Sequence, residues 1–164
     1  MSAKPESAAN FHQLHEGPEP LLLPNAWDAG SARLMESLNA KAVATTSAGV
    51  AWTHGYPDGN ALPVRLLVAT VANIARVIRV PLTVDLEGGY SDDPSMVEET
   101  VAKMIEAGAV GINIEDGSGP PDLLCLKIER AIRAGQHFNV DLFVNARTDV
   151  YLRTLAPNDA AVAE

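Results

Sequence analysis

The sequence predicts an α/β fold in which short parallel strands alternate with helices. Five short apolar runs are separated by segments whose apolar residues recur at helical spacing, and glycine or proline stands at many boundaries. Such alternation is typical of parallel strands joined by right-handed crossovers. Both an open doubly wound sheet and a (β/α)8 barrel fit the pattern. The absence of G-x-G-x-x-G after the first strand disfavours a dinucleotide-binding sheet.

The element boundaries follow from the apolar runs and the turn residues. The predicted strands are 21–23, 41–46, 81–85, 110–114 and 140–144. The predicted helices are 29–38, 63–78, 94–107 and 122–134, with a further helix beginning at 157–164. Asp28 suits a helix N-cap and Pro63 a first helical turn. Ser47, Ala48 and Gly49 are predicted to close the second strand as a turn of small residues.

Composition bounds the class of protein and its partners. The 164 residues are enough for one domain, taken as 1–164, with a hydrophobic core. The net charge of −9 argues against a nucleic-acid partner or an anionic membrane surface. The only cysteine is Cys125, which is expected to be buried in a helix. With no signal peptide and no membrane-length apolar run evident, the sequence predicts a cytoplasmic protein.

Carboxylates follow the third and fourth predicted strands. Asp85 and Glu87 are two residues apart, so they point the same way if the backbone is extended. Glu115 follows the adjacent strand, and Asp58 lies in the loop after the second strand. Oxygen donors gathered in this way suit a hard cation, and Mg²⁺ suits a sparse set because it keeps several waters. The alternative is that these are solvated loop acids that cap helices.

Two further features at the strand ends suggest anion binding. Successive N–H groups of Ser47, Ala48 and Gly49 can form a nest for an anion, although a plain turn of small residues is the commoner explanation. Arg147 follows the fifth strand and can fork onto a carboxylate, or else form an ion pair with Asp149 or Glu115.

Five segments together carry a family resemblance. They are LPNAWDAGSARL (23–34), ATTSAGVAWTHGYPDG (44–59), VDLEGGY (84–90), GAVGINIEDG (108–117) and NARTDVYL (145–152). Each is weak alone, but their order and spacing resemble the isocitrate lyase/phosphoenolpyruvate mutase superfamily, from about residue 20 onward.

The resemblance implies a (β/α)8 TIM barrel of the phosphoenolpyruvate mutase type, Mg²⁺, a homotetramer and a small 2-oxo acid substrate. It implies that Asp85 binds the metal directly and that Asp58, Glu87 and Glu115 hold its waters. Ser47, Ala48, Gly49 and Arg147 would contact the substrate, with Arg147, Ser47 and Asp58 as candidate catalytic residues. The implied reaction cleaves a C–C bond and leaves an enolate.

One segment departs from the family pattern. Isocitrate and methylisocitrate lyases carry a lysine-rich loop with a catalytic cysteine after the fourth strand, whereas this chain reads Asp116-Gly117-Ser118-Gly119-Pro120-Pro121. The lysine and asparagine of the mutase and phosphonopyruvate hydrolase loops are absent too. The expectation is therefore an oxaloacetate decarboxylase-like or related carbon–carbon lyase.

Two alternatives remain open. The first is a mutase or hydrolase of a P–C bond that uses the same metal site. The second is a non-catalytic chain, because a complete barrel needs about 250 residues and this sequence accounts for about five βα units. The barrel is thus expected to be truncated.

Overall fold

A five-stranded parallel sheet organises residues 5–155, the part of the chain that the computed structural model describes. The strands are β1 (Asn25–Ala26), β2 (Val43–Thr45), β3 (Leu82–Asp85), β4 (Gly111–Glu115) and β5 (Phe143–Arg147). The helices are α1 (Pro5–His15), α2 (Ala29–Ser37), α3 (Ser47–Thr53), α4 (Val64–Val77), α5 (Pro94–Ala107) and α6 (Pro121–His137). The helix predicted at 157–164 lies outside the described residues.

The order of the strands separates the two architectures that the sequence left open. It is β1-β2-β3-β4-β5, and every neighbouring pair is parallel. A doubly wound sheet reverses its strand order at a switch point, whereas a barrel adds strands in sequence. The α/β barrel-type prediction is therefore confirmed, and the open doubly wound sheet is excluded for these residues.

The core lies between the sheet and the helices that cross it. Consecutive helices α2, α4, α5 and α6 contact each other side by side, in the same order as the strands. Val84, Ile112 and Ile114 of the sheet are fully buried, as are Val71 of α4 and Met104 of α5. Burial of these side chains supplies the main driving force for this arrangement.

The first predicted strand was wrong in position. Strand β1 is Asn25–Ala26, which pairs with Ala44 and Thr45, and the Pro24 carbonyl accepts a hydrogen bond from Ala44 N at 2.9 Å. The apolar run at 21–23 forms no strand: Leu22 is 85% exposed, and Leu21 and Leu23 are half-buried against the core. The prediction relied on apolar content alone, whereas the hydrogen bonding of this segment to β2 begins at Pro24.

Two helices were not predicted. In α1 only Ala8 and Phe11 are buried, which gives a weak periodic pattern. Phe11 anchors that helix beneath the sheet, beside Gly111.

The predicted turn at Ser47, Ala48 and Gly49 was also wrong. These residues form the first turn of α3, which begins after extended Thr46 and whose Val50 N bonds to Thr46 O at 3.0 Å.

Close packing at the end of α6 shifts the start of the last strand to a later residue. A Cβ on Gly135 would lie 2.7 Å from Val140 O and 3.0 Å from Leu142 Cβ, so residues 140–142 pack closely on the helix. Strand β5 therefore begins at Phe143 rather than Val140.

Cys125 is exposed, against the expectation of burial, because it lies on the outer face of α6. None of the helices between residues 5 and 155 is both long and apolar enough to cross a membrane.

Candidate active site

Arg147 joins the carboxylates of two neighbouring strands. It is the last residue of β5 and stands opposite Glu115, the last residue of β4. Its Nη2 bonds to Glu115 Oε2 and lies 3.4 Å from Asp85 Oδ1 at the end of β3. The side chains of Asp85 and Glu115 are 10% and 18% exposed. Two partly desolvated carboxylates thus share one guanidinium.

Asp85 is fixed at the end of its strand by the backbone. Its N–H donates to Thr45 Oγ1 of β2 at 2.9 Å, and its Oδ1 accepts a hydrogen bond from Glu87 N at 3.1 Å. Because the strand ends of a parallel sheet meet at one edge, this places the Asp85 carboxylate between the loops that follow β2 and β4.

Glu87 does not have the extended backbone on which its predicted orientation depended. The strand ends at Asp85, and Glu87 adopts a φ of +52°, a left-handed conformation that is uncommon outside glycine. Its carboxylate bonds to Asn60 and Tyr90, whereas Arg147 contacts Asp85 and Glu115. The residue is only 4% exposed, so its carboxylate still lies inside the protein. Strain of this kind persists only where surrounding contacts fix it, and it is common at functional sites.

A hydrogen-bond network holds the Glu87 carboxylate. Oε2 accepts from the main-chain N–H of Asn60, and Oε1 accepts from the Tyr90 hydroxyl at 2.9 Å. Asn60 Oδ1 in turn accepts from Tyr90 N at 3.2 Å. Burial raises the pKa of the Tyr90 hydroxyl, and the negative charges of Glu87, Asp85 and Asp58 raise it further. Tyr90 is thus a neutral donor to Glu87.

The other predicted site residues lie at the edge of this cluster. Asp58 is exposed in the loop between α3 and α4, and its charge acts on Tyr90. Ser47, Ala48 and Gly49 begin α3, where first-turn N–H groups have no partner within the helix. A Cβ on Gly49 would lie 2.7 Å from Thr46 Cγ2 and 3.1 Å from Trp27 Cβ, so close packing alone favours glycine there. Their role in substrate binding stays a prediction.

A cavity of about 510 Å³ opens beside the cluster. Glu87 and Glu115 both line it, together with Lys127, Ser118 and Arg153. It lies between the loops after β3 and β4 and the start of α6. The cavity therefore joins two of the four predicted metal-site residues to the short 116–120 loop and brings two cations to the same space.

The donor set can be tested against a divalent cation. Asp85, Glu87 and Glu115 carry three carboxylates, and Arg147 is the cation that contacts two of them. Within residues 5–155 no three acidic, histidine or cysteine side chains converge as a ready-made cage, because Glu87 faces Asn60 and Tyr90. The oxygen donors nevertheless carry a net negative charge. A site of this kind with few direct ligands fits a hard cation that retains its waters.

Three residues of this site were missed by sequence reasoning. Asn60 and Tyr90 act through loop geometry, for which the sequence offered no pattern. Lys127 had one: the buried face of α6 is Lys127, Ala131, Ala134 and Gly135, so the lysine stands in the apolar stripe of its helix. A lysine in a buried stripe calls for a polar partner inside the protein.

Comparison with known sequences decides the family. The family described as phosphoenolpyruvate phosphomutase matches residues 11–164, nearly the whole chain. The chain belongs to this phosphoenolpyruvate phosphomutase family. The resemblance to the isocitrate lyase/phosphoenolpyruvate mutase superfamily is thereby confirmed, and it extends to the α1 segment from Phe11 onward.

Similar proteins include both uncharacterised and named members of this family. An uncharacterised protein of Mycobacterium tuberculosis H37Rv is 39% identical over 146 residues, covering 87% of this chain and 54% of that protein. The 2-methylisocitrate lyase of Escherichia coli K12 is 29% identical over 153 residues, covering 88% and 50%. The chain thus spans about half the length of these curated relatives.

Solved structures of the family match the fold closely. A protein of Burkholderia cenocepacia J2315, provisionally described as a phosphonomutase, has a TM-score of 0.90 at 40% identity, covering 96% of this chain and 67% of that one. Oxaloacetate acetylhydrolase has a TM-score of 0.82 at 26% identity, covering 93% and 56%. The family therefore includes lyases and mutases, and the described sheet corresponds to about half of such a barrel.

Proposed function

We propose that this phosphoenolpyruvate phosphomutase family member provides the metal and substrate site of a Mg²⁺-dependent lyase. The reaction is cleavage of a C–C bond of a small 2-oxo acid, of the oxaloacetate decarboxylase type or a related carboxylic acid lyase. One observation carries the proposal: Asp85 and Glu115, on adjacent strands, share the Arg147 guanidinium at the sheet edge where such barrels hold their active sites.

The proposed reaction requires stabilisation of the negative charge that develops beside the ketone. Breaking the bond next to the 2-oxo group leaves an electron pair that the neighbouring carbonyl accepts as an enolate. A divalent cation bound among Asp85, Glu87, Glu115 and Asp58 would supply Lewis-acid stabilisation of that developing charge. Asp85 is the candidate for direct binding, because it ends β3 at the centre of the cluster, and the other three carboxylates are candidates to hold waters.

This chain's own cations and N–H groups bind and orient the substrate. Arg147 is 37% exposed and has a planar fork suited to a carboxylate, so it is the candidate for the carboxylate of the 2-oxo acid. Ser47, Ala48 and Gly49 offer first-turn N–H groups for the remaining oxygens. Fixing the carboxylate at one end orients the scissile bond and lowers the entropic part of the barrier.

The composition of the loop after β4 supports one lyase type over another. It consists of Asp116, Gly117, Ser118, Gly119 and Pro120, and it offers neither a cysteine nor a lysine. A lyase that must protonate a large carbanion from this loop is therefore disfavoured. A reaction that releases CO₂ or a small acid from a 2-oxo acid has less need of a cysteine or lysine in this loop.

A phosphonate reaction is the second candidate. The Burkholderia protein provisionally described as a phosphonomutase is 40% identical to this chain. Phosphonopyruvate is itself a 2-oxo acid, so the same cluster and Arg147 would bind it. Release of inorganic phosphate from phosphonopyruvate, without turnover of oxaloacetate, would favour this candidate over the lyase.

Turnover with and without Mg²⁺ tests the proposal. The protein is assayed with oxaloacetate and related 2-oxo acids in Mg²⁺ and again after EDTA treatment. We expect Mg²⁺-dependent turnover, with kcat at least about a hundredfold lower in Asp85→Asn because an oxygen ligand loses its charge. Asp122→Asn, an exposed change in the first turn of α6, is the matched control and keeps full activity.

The contrary result is equally clear. If Asp85→Asn and wild-type protein turn over 2-oxo acids at the same rate, the carboxylate cluster plays no part in the chemistry. Homo-oligomeric assembly, with a tetramer as the expected state, remains part of the proposal and is measured by light scattering on the same sample.

A further inference from the structure

Lys127 is a buried cation that the proposed chemistry does not use. Its side chain is 7% exposed, on the face of α6 that packs against the rest of the protein. Its Nζ donates to the Gly88 carbonyl at 2.8 Å and to Asp92 Oδ1 at 3.2 Å. Asp92 is 93% exposed, so the solvent-screened ion pair contributes little. The buried contact of Lys127 is therefore with the main chain directly after Glu87.

That main chain is a strained turn. Glu87, Gly89 and Tyr90 have φ values of +52°, +88° and +62°. Two of the three are not glycine, and residues with a Cβ adopt left-handed backbone only at an energetic cost. Gly89 N closes the turn onto Leu86 O at 2.8 Å. The turn therefore needs outside contacts to keep its shape.

The same turn joins Glu87 to Glu115, two of the acidic residues that line the cavity. The Glu87 carbonyl accepts a hydrogen bond from Glu115 N at 3.0 Å, so the turn is joined to the end of β4. Lys127 bonds the next carbonyl along and lines the same cavity as Glu87 and Glu115. A charge-assisted hydrogen bond at this point is stronger than a neutral one.

We propose that Lys127 is a positioning residue: its ammonium clamps the Gly88 carbonyl and thereby fixes the turn that carries the Glu87 carboxylate, a candidate to hold a water of the bound cation. The proposal rests on the proposed function for the identity of that site. Partners outside the direct ligand shell commonly set metal affinity by 10- to 100-fold. Lys127 lies on a helix, so it can hold the geometry of the loop after β3.

Two measurements on the Lys127→Met variant test this. Amide hydrogen exchange in metal-free protein reports the turn itself through Gly89 N and Glu115 N. We expect exchange at these two amides to rise about tenfold or more, while amides of α4 keep their wild-type rates. Mn²⁺ is the probe for the cation site, followed by calorimetry or electron paramagnetic resonance. We expect about a 10- to 100-fold loss of Mn²⁺ affinity.

The controls separate positioning from general stability. Lys103→Met makes the same change at an exposed position of α5 and leaves both readouts at wild-type values. Asp92→Asn removes the exposed ion pair but keeps the Gly88 bond, so it changes Mn²⁺ affinity by less than about threefold. Lys127→Gln is too short to reach the carbonyl and repeats the loss in a polar side chain.

Each remaining outcome has a defined meaning. Wild-type exchange at Gly89 and Glu115 in a folded Lys127 variant overturns the proposal, as does unchanged Mn²⁺ affinity. Failure of both Lys127 variants to fold also overturns it, because the lysine then serves folding rather than the site. If the wild-type chain binds no Mn²⁺, the proposed function fails, and the exchange data still decide whether Lys127 holds the turn.

Discussion

The Tyr90 hydroxyl donates to Glu87 Oε1 at 2.9 Å, and both residues adopt left-handed backbone conformations three positions apart. The loop after β3 thus closes on itself around one carboxylate. Asn60 completes the closure from the loop before α4, since its main-chain N–H reaches the other oxygen of Glu87. The geometry of the candidate site therefore depends on loop contacts as much as on the strand ends.

Removal of the Tyr90 hydroxyl should weaken this closure. In Tyr90→Phe the Glu87 carboxylate loses a hydrogen bond while it remains buried. We expect the free energy of unfolding to fall by about 1.5–3 kcal/mol, the range for hydrogen bonds to charged groups. Urea unfolding followed by circular dichroism measures it. Tyr151→Phe is the control, because Tyr151 is 57% exposed, and should change stability by less than about 0.5 kcal/mol. Equal losses in the two variants would contradict the assignment.

Arg147 acts as the counter-charge of the cluster when no other cation is bound. In Arg147→Ala, Asp85 and Glu115 face each other without the guanidinium. We expect Tm to fall at pH 7, and millimolar Mg²⁺ to raise the Tm of this variant more than that of wild-type protein. The reason is that a divalent cation relieves repulsion which the arginine otherwise offsets.

Arg33→Ala is the control for Arg147→Ala. Arg33 pairs with Glu36 on the surface of α2, and its side chain is 61% exposed. The Mg²⁺-dependent rise in Tm of this variant should equal that of wild-type protein. A rise no larger in Arg147→Ala than in Arg33→Ala would show that the cation does not enter the Asp85–Glu115 pair.

The sequence predicted the sheet well where strands are buried on both faces. Runs at 81–85 and 110–114 matched β3 and β4 within one residue, because a parallel core strand is continuously apolar. It failed at the first strand, whose two residues carry no such run. It also failed at β5, where the tight return from α6 at Gly135 moves the start of pairing, a tertiary effect without a local signature.

The site was predictable by residue type but not by orientation. Asp85, Glu115 and Arg147 end three neighbouring strands and come together, as their positions on the sheet require. The extended-backbone prediction was wrong for Glu87, because its positive φ belongs to a turn held by Asn60, Tyr90 and Lys127. Those partners come from 27 residues before to 40 residues after it in the chain, so local patterns cannot reveal them.

Gly111 allows α1 to pack beneath the sheet. A Cβ at this position would lie 2.9 Å from both Phe11 Cε1 and Thr83 Oγ1, and 3.2 Å from Phe143 O. We expect Gly111→Ala to destabilise the protein by about 1–3 kcal/mol, the usual cost of overpacking. Chemical denaturation measures this. Gly30→Ala in α2 is the opposite control: its nearest atom would be 3.5 Å away, so higher helix propensity makes the change neutral or stabilising.

Glu36 joins α2 to the chain after α4 and should give stability a pH dependence. Its Oε1 accepts hydrogen bonds from Arg79 N at 2.6 Å and Val80 N at 3.3 Å, and its Oε2 pairs with Arg33. Burial by itself raises the pKa of Glu36, but these hydrogen bonds and the Arg33 charge outweigh it and lower the pKa below the ordinary value.

A lowered folded-state pKa fixes the sign of the effect. The stabilisation from ionised Glu36 is present above the unfolded pKa of about 4.3 and is lost as pH falls through the folded value. Glu36→Gln should therefore be less stable than wild-type protein at pH 7, and the difference should shrink below about pH 4 as the wild-type carboxylate takes up its proton. Urea unfolding at a series of pH values measures the difference. Glu99→Gln, an exposed change on α5, should show a much smaller pH-dependent difference. A Glu36→Gln deficit that stays constant from pH 7 to pH 3 would mean that the link between α2 and Arg79 depends on side-chain shape rather than on charge.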